Sequence, residues 1–230
     1  MNKKKIHAVI LARGGSKGIK NKNLILINGK PLIYWSIKSA LECKNIKKIW
    51  VSSDNKKILF TAKKFGAEII RRPKKLSGDK NSSESGWLHA LKYISNYYDV
   101  NYIVALQATS PIRNKNDLRF AIKKFFINKY DSLFSSSLNN AFFRWTIKNG
   151  NLKPNYNLKK IRPRRQKINN ELIENGSFYI FCAKKFFKSK KRLFGKIGTF
   201  VQKKSEGFEI DDLEDVIIVN SIMKSKKLIT

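Results

Sequence analysis

The chain has 230 residues, of which 42% are hydrophobic and 28% charged, a balance typical of a folded globular protein rather than a disordered one. Its formal net charge of +33 would suggest a nucleic-acid partner, but the lysines are spread along the whole chain without a separate basic tail. We therefore expect solvated basic faces and no specific nucleic acid.

Strands and helices are predicted to alternate along the chain. Continuous β-forming runs predict strands at residues 6–12, 47–54, 67–72, 102–108, 131–137 and 176–182. Apolar residues at helical spacing predict helices that begin near Pro31, Asp54, Asn81, Asn116 and Asp212. Asp54 is predicted to cap the second helix, and Asn81 to form a capping-box-like pair with Glu84.

This alternation predicts an α/β, Rossmann-like fold with a mostly parallel sheet and helices on both faces. The length allows one domain over residues 1–230. Between residues 138 and 175 the alternation lapses into a stretch rich in Asn, Lys, Arg and Pro, which is long for a structureless loop. We expect that stretch to be a functional segment or an interface arm.

Cys43 and Cys182 have no metal-type spacing with His7 or His89, so we expect buried thiols in a reducing compartment. The apolar run at residues 6–12 is too short for a leader or a membrane span. These features predict a cytoplasmic protein without a membrane partner.

The stretch VILARGGSKGIKNKNL follows the first predicted strand and is the first candidate site. It has neither the Walker spacing nor the dinucleotide-binding spacing of glycines. Its glycines nevertheless let backbone N–H groups approach an anion, and Arg13, Lys17 and Lys22 can neutralise phosphate charge. We predict a nucleoside triphosphate site here, with a solvated basic loop as the alternative.

Acidic residues are scarce, which makes EIDDLED near the end of the chain conspicuous. Glu209 and Asp211 lie two apart on a predicted extended segment, so they share a face and can bind a hard cation. Mg²⁺ would also relieve the repulsion between these carboxylates and a triphosphate. The alternative is that Asp211 or Asp212 only caps the last helix.

Two further stretches offer ligand-binding side chains. ALQATSPIR is predicted to bring Gln107, Thr109, Ser110 and Arg113 to the same rim of the sheet, although an ordinary turn before Pro111 would explain it equally well. RPRRQ, residues 162–166, is either a carboxylate or phosphate clamp or an exposed basic loop.

These motifs together resemble those of the acylneuraminate cytidylyltransferases, the CMP-sialic acid synthetases. LARGGSKGIKNKNL, VSSD, GAEIIRRP, LQATSPIR, RPRRQKINNELIENGSFYI and FEIDDLED occur in the family's order. YDSLFS, FRW and RPRRQ…ENGSFY are most similar to the animal-type branch. We expect a chain without the additional C-terminal domain of the animal enzymes.

The resemblance implies transfer of CMP from CTP to the anomeric hydroxyl of a nine-carbon sugar acid, with release of pyrophosphate and with Mg²⁺ as cofactor. It also implies a homodimer in which the 138–175 arm completes the partner's site.

Residue roles follow by motif position. The resemblance implies nucleotide binding by Arg13, Gly14, Ser16, Lys17, Lys22, Asn23, Arg72, Asn81 and Ser83. It implies sugar binding by Gln107, Arg165 and Gln166, and metal binding by Asp211 with Glu209. Lys22, Asp211 and Arg13 are the predicted catalytic residues.

The sequence departs from the family pattern at two positions. Glu209 stands where Asp is usual, and Ile173 stands where many bacterial members have arginine. Two alternatives remain: a related cytidylyltransferase for the eight-carbon acid Kdo, and a nonenzymatic protein that binds polyanions through its positive charge.

Overall fold

The computed structural model describes residues 4–139, 143–162, 164 and 171–229. In chain order the strands are β1 (Ile6–Leu11), β2 (Leu26–Ile27), β3 (Lys30–Pro31), β4 (Lys48–Ser53), β5 (Glu68–Arg71), β6 (Tyr102–Gln107), β7 (Ser132–Asn139), β8 (Trp145–Lys148), β9 (Asn151–Pro154), β10 (Glu171–Cys182) and β11 (Ile197–Gln202). The helices are α1 (Leu32–Leu41), α2 (Lys56–Lys64), α3 (Ser83–Ser95), α4 (Asp117–Ile127), α5 (Ala183–Ser189) and α6 (Leu213–Ile229).

Seven of these strands form the central sheet, in the order β11-β7-β10-β6-β1-β4-β5. β10 is antiparallel to both of its neighbours, and the other adjacent strands pair in parallel. The predicted mostly parallel sheet is thereby confirmed. The chain places β4 and β5 on one side of β1 and returns with β6 on the other, so a crevice opens beyond the ends of β1 and β6.

Helices cover both faces of the sheet, as predicted. Ile10 of β1 packs into a core with residues of α1, α2 and α4, whereas its neighbour Val9 packs into a second core with residues of α3 and α5. Side chains alternate between the faces of a strand, so a strand that is apolar throughout must be buried on both. β1 is therefore held at the centre of the molecule, and its carboxyl end is a fixed platform.

Two predicted helix caps are wrong, each by one residue. α2 is capped by Asn55, whose side chain accepts from the backbone N–H groups of Lys57 and Ile58. α3 is capped by Ser82, which accepts from the N–H of Ser85. Asp54 and Asn81 instead accept hydrogen bonds from neighbouring loops, from the N–H groups of Gly14 and Gly78 respectively.

The 138–175 stretch is more regular than predicted. β8 and β9 form an antiparallel hairpin within it, and β10 begins at Glu171, before the predicted start at residue 176. The register of β10 against β7 shifts between Glu174 and Tyr179, where Gly176 has φ +68°. This bulge bends β10 at the edge of the crevice. Arg165 and Gln166 of the predicted clamp lie outside the described residues.

Both cysteines are free thiols; Cys43 is buried as predicted, whereas Cys182 is only half-buried. In the part of the chain that the structure describes, none of the helices has the length and apolar character needed to cross a membrane.

Candidate active site

A cleft of about 530 Å³ lies beyond the carboxyl ends of β1 and β6. It is lined by most of the residues predicted from separate motifs. They are Arg13, Ser16, Lys17, Lys22, Asn23, Arg72, Asn81, Ser83, Gln107, Glu209 and Asp211. The topology of the sheet thus gathers the glycine-rich loop, the start of α3 and the acidic segment at one place.

The glycine-rich loop is fixed to its surroundings by its own backbone. The N–H of Gly14 donates to Oδ1 of Asp54 at 2.9 Å, and Nδ2 of Asn23 donates to the carbonyl of Arg13 at 3.0 Å. Gly14, predicted to bind nucleotide, is therefore directed at the end of β4 and is not among the described residues lining the cleft. Asn23 lines the cleft and also holds the loop in place.

Gly18 brings this loop against the acidic segment. A Cβ atom built at Gly18 would lie 2.3 Å from the carbonyl oxygen of Asp211, a distance that no side chain can occupy. Glycine is thus required here because two backbones touch. The contact sets the spacing between the loop's cations and the carboxylates.

Arg13 and Lys17 share one acidic partner, Asp79, in the loop before α3. Arg13 Nη1 lies 2.6 Å from Oδ1 of Asp79, and Lys17 Nζ lies 3.1 Å from its Oδ2. Hydrogen bonds from Lys17 and Arg13 lower the pKa of Asp79, which stays ionised at neutral pH. Asp79 is therefore paired with Arg13 and Lys17, two of the three cations that the sequence predicted to bind phosphate.

Lys22 is the most buried of the three predicted cations. Its side chain is 13% exposed, and Nζ donates to Oδ1 of Asp211 at 2.8 Å and to the carbonyl of Ile210 at 2.9 Å. These two hydrogen bonds hold the Lys22 ammonium group at a fixed point of the cleft.

Glu209 and Asp211 form the acidic wall of the cleft. Burial raises the pKa of Glu209, and the negative charge of Asp211 raises it further, while the hydroxyl of Ser110 donates to Glu209 Oε1 at 3.3 Å. Two carboxylates that disfavour each other's charge suit Mg²⁺, which is commonly held by one or two carboxylates together with substrate phosphates. The described residues contain no cluster of three or more acidic, histidine or cysteine side chains suited to a metal.

The wall opposite the glycine-rich loop comes from the end of β5 and the start of α3. Arg72 is buried and donates from Nε to the hydroxyl of Ser77 at 2.9 Å; burial lowers the pKa of its guanidinium. Asn81 accepts from the N–H of Gly78 at 3.0 Å, which closes the loop that carries Asp79. This wall of the cleft therefore offers polar side chains, those of Arg72, Asn81 and Ser83, that can form hydrogen bonds with a flat polar ring.

One residue predicted at the rim is turned away from the cleft. Gln107 and Thr109 line it, but Arg113 donates inward to the carbonyls of Gln107 and Ser177, at 2.8 and 2.6 Å. It thereby joins the end of β6 to β10. Arg113 supports the wall rather than contacting a ligand in the cleft.

A second cleft, also of about 530 Å³, adjoins the first and shares Gln107 and Glu209 with it. Its other walls include Glu174, Tyr179 and Phe208. Sequence reasoning missed these three residues, although two of them lie in the quoted ENGSFY stretch. Gly176 lies between Glu174 and Tyr179 in the chain. A Cβ atom at this position would lie 2.5 Å from Oε1 of Glu209, so only glycine leaves room for the Glu209 carboxylate.

The histidines take no part in either cleft. His7 lies buried in β1 and accepts from Nε1 of Trp50 at 3.0 Å, while His89 lies on α3 beside a separate shallow pocket. This agrees with the sequence, which gave no reason to assign either one as a base.

The match to known families decides the identity of this architecture. A family model described as cytidylyltransferase matches residues 7–221, nearly the whole chain. The chain belongs to the cytidylyltransferase family.

This cytidylyltransferase has relatives with several related names. It is 37% identical over 211 residues to N-acylneuraminate cytidylyltransferase A of Danio rerio, covering 87% of this chain and 46% of the relative. It is 30% identical over 226 residues to N-acylneuraminate cytidylyltransferase of Escherichia coli, covering 96% and 53% respectively. The chain thus spans about half the length of these relatives.

A third relative matches along nearly its full length. The pseudaminic acid cytidylyltransferase of Campylobacter jejuni is 30% identical over 223 residues, which are 94% of this chain and 95% of the relative. Among solved structures, CMP:2-keto-3-deoxy-manno-octonic acid synthetase complexed with CTP superposes with a TM-score of 0.71 at 17% identity, covering 96% of this chain and 99% of the other. This last likeness supports the fold of the cytidylyltransferase.

Proposed function

We propose that this cytidylyltransferase joins CMP from CTP to the anomeric hydroxyl of a nonulosonic, sialic-type acid and releases pyrophosphate. One observation carries the proposal: two clefts of substrate size share a wall formed by Gln107 and Glu209. A nucleotide in the first cleft and a sugar acid in the second would meet there. The names of the relatives, N-acylneuraminate and pseudaminic acid cytidylyltransferases, support this choice of acceptor.

The triphosphate would lie along the glycine-rich loop. Arg13, Lys17 and Lys22 offer three positive charges there, and Ser16 offers a hydroxyl. Cytosine would lie against the other wall, between Arg72 and the residues Asn81 and Ser83 at the start of α3. Phosphates would then displace Asp79 from Arg13 and Lys17.

The reaction is an in-line displacement at the α-phosphorus. The anomeric hydroxyl oxygen forms a bond to that phosphorus and releases its proton to solvent, while the bond to the oxygen bridging to the β-phosphorus breaks and pyrophosphate leaves with the electron pair. Positioning and charge neutralisation dominate such reactions. Lys22, fixed between Ile210 and Asp211, and Arg13 would stabilise the charge that grows on the leaving group.

Asp211 would hold Mg²⁺, with Glu209 contributing directly or through water. The raised pKa of Glu209 and its proximity to Asp211 fit a cation at this position. When bound, the ion would neutralise phosphate charge and help to orient the triphosphate.

The sugar acid would bind in the second cleft. Gln107 lies on the wall shared with the nucleotide cleft, and Glu174 and Tyr179 also line the second cleft. The resemblance also assigns Arg165 and Gln166 to the sugar, with an arginine to meet the substrate's carboxylate. Ile173 cannot meet that carboxylate, so Arg165 or a neighbour would take the role.

We also propose a cytoplasmic homodimer. The hairpin, the segment after it and the start of β10 expose a run of large apolar side chains: Trp145, Ile147, Leu152, Leu158, Ile161, Leu172 and Ile173. Exposed apolar patches of this kind mark interaction sites. Light scattering after gel filtration should give twice the chain mass of 26.6 kDa, whereas a monomer would contradict the dimer.

The activity is tested by pyrophosphate release from CTP with Mg²⁺ and a panel of N-acetylneuraminic, legionaminic, pseudaminic and Kdo acids. We expect turnover with a nine-carbon acid, none without an acid, and none in the Asp211→Asn variant. Asp212→Asn is the matched control, because Asp212 also lies in this segment but caps α6 by accepting from the N–H of Asp215.

Two outcomes would overturn the proposal. Turnover with Kdo alone would favour the eight-carbon alternative. Salt-sensitive binding of nucleic acid without any turnover would favour the polyanion-binding protein.

A further inference from the structure

Arg192, in the loop between α5 and β11, joins Glu84 of α3 to Tyr179 in the wall of the second cleft, through hydrogen bonds that no sequence motif indicated. Its Nε and Nη2 donate to the two carboxylate oxygens of Glu84 at 2.6 and 3.2 Å. Its guanidinium also lies over the rings of Trp87 and Tyr179, at 5.3 and 5.1 Å from their centroids. A bidentate pair that is also stacked fixes the orientation of an arginine closely.

The third donor of the same guanidinium points at the second cleft. Arg192 Nη1 donates to the phenol oxygen of Tyr179 at 3.3 Å, and the Tyr179 hydroxyl donates to Oε1 of Glu174 at 2.5 Å. Burial and the hydrogen bond to Glu174 raise the pKa of Tyr179 to about 12, so the phenol keeps its proton at neutral pH.

The direction of these hydrogen bonds is determined by chemistry. Arginine can only donate, so the Tyr179 oxygen must accept from it and must send its own proton to Glu174. Among the residues that the structure describes, no hydrogen bond reaches the second oxygen of Glu174, although this residue is exposed and lines the cleft. That oxygen is therefore an oriented, unused acceptor.

We propose that Arg192 is a positioning residue that holds Tyr179 and Glu174, so that Glu174 accepts a hydrogen bond from the bound sugar acid. The inference rests on the proposed function and deepens it. A carboxylate in a cleft for an acid would repel the substrate's own carboxylate and select a donor group instead. The substrate class that fits is a sugar acid with a hydroxyl or an acylamino N–H directed away from its carboxylate.

Steady-state kinetics of Arg192→Met, Arg192→Lys and Glu174→Gln test this positioning. We expect Arg192→Met and Glu174→Gln each to raise the KM for the sugar acid about tenfold, the loss expected for one hydrogen bond to a charged group. The KM for CTP should change less than about twofold, because the Ser82 cap of α3 does not depend on Arg192. Arg192→Lys should restore part of the loss, since lysine keeps the charge without the fork.

The double variant Arg192→Met/Glu174→Gln adds a test of coupling. If the two residues act through one hydrogen-bond chain, the double variant should resemble the single ones rather than multiply their effects. Arg119→Met is the matched control, because Arg119 also stacks on a ring, that of Phe120, but is exposed on α4 outside both clefts.

Three results would overturn the inference. In the first, the KM for the sugar acid is unchanged in Glu174→Gln. Because Glu174 is exposed, this variant tests the inference even if Arg192→Met does not fold. In the second, the KM for CTP rises as much as that for the acid. In the third, the wild-type protein turns over none of the acids, and the proposed function then fails as well. The first two results leave the proposed function standing.

Discussion

Lys22 Nζ lies 2.8 Å from Oδ1 of Asp211, so the most buried of the three cations predicted for phosphate is paired with the carboxylate proposed to hold the metal. This pair joins the glycine-rich loop near the start of the chain to the acidic segment near its end. It makes Lys22 both a structural tie and a charge available to the leaving group.

Replacing Lys22 with alanine should therefore lower turnover strongly. We expect a loss of about 10²-fold or more in kcat, or roughly 3 kcal/mol of transition-state stabilisation, if the ammonium contacts charge formed in the transition state. Lys20→Ala is the control, because Lys20 lies in the same loop but is exposed outside the cleft. Rate measurements at saturating CTP that show equal kcat for both variants would remove Lys22 from the reaction.

Asp79 competes with the nucleotide for Arg13 and Lys17. Asp79→Asn should bind CTP more tightly, by about threefold, since exposed ion pairs contribute little each. Asp99→Asn, which removes another exposed carboxylate paired with Lys5, controls for the change in net charge. Calorimetry that finds both variants equally improved would assign the effect to net charge, and weaker binding by Asp79→Asn would contradict the competition.

The ionised carboxylate of Glu209 should lower the free energy of unfolding at neutral pH. Its folded-state pKa is raised by burial and by Asp211, so the folded protein holds this proton more tightly than the unfolded chain does. The free energy of unfolding therefore increases as the pH falls through the raised pKa and Glu209 becomes protonated. It decreases again as the pH rises to neutral and Glu209 ionises.

Glu209→Gln should accordingly raise the melting temperature at pH 7 and lower activity. The gain should disappear at low pH, where Glu209 of the wild type is itself protonated. Thermal denaturation measured across pH 4 to pH 7 checks this. A stability difference that does not change with pH would be inconsistent with a titrating Glu209.

His7 predicts acid sensitivity of the fold. Burial and, to a smaller extent, the positive charge of Lys48 lower the pKa of His7 from 6.5 to about 4, so the folded protein holds the imidazole neutral. This contributes stability that is complete above pH 6.5 and is lost as the pH falls through 4, at most about 3 kcal/mol. In His7→Gln, which keeps an acceptor for Trp50, chemical denaturation should show a weaker dependence on pH over this range. An unchanged slope would mean that another group is responsible.

The sequence predicted the site well where local chemistry was distinctive. The glycine-rich loop and the end of β6 each contain unusual residue types directly after a strand, and parallel strands bring such ends together. The acidic segment is distinctive because carboxylates are scarce in this chain, and it leads directly into α6. Arg13, Lys17, Lys22 and Asp211 accordingly line one cleft.

The sequence failed where partners were distant. Arg113 was expected at the rim but is turned inward by backbone carbonyls that only the folded sheet brings within reach. Glu84 resembled a capping residue, yet its partner is Arg192, far along the chain. The edge strand β11 was not predicted because its short, partly exposed sequence becomes a strand only by pairing with β7.

The most direct test of the account is a crystal structure of the protein with CTP and Mg²⁺. We predict the triphosphate on Arg13, Lys17 and Lys22 with Asp79 displaced, the metal ion at Asp211, and the base against Arg72. CTP bound elsewhere, or a cleft still closed by Asp79 at saturating nucleotide, would contradict the central claim.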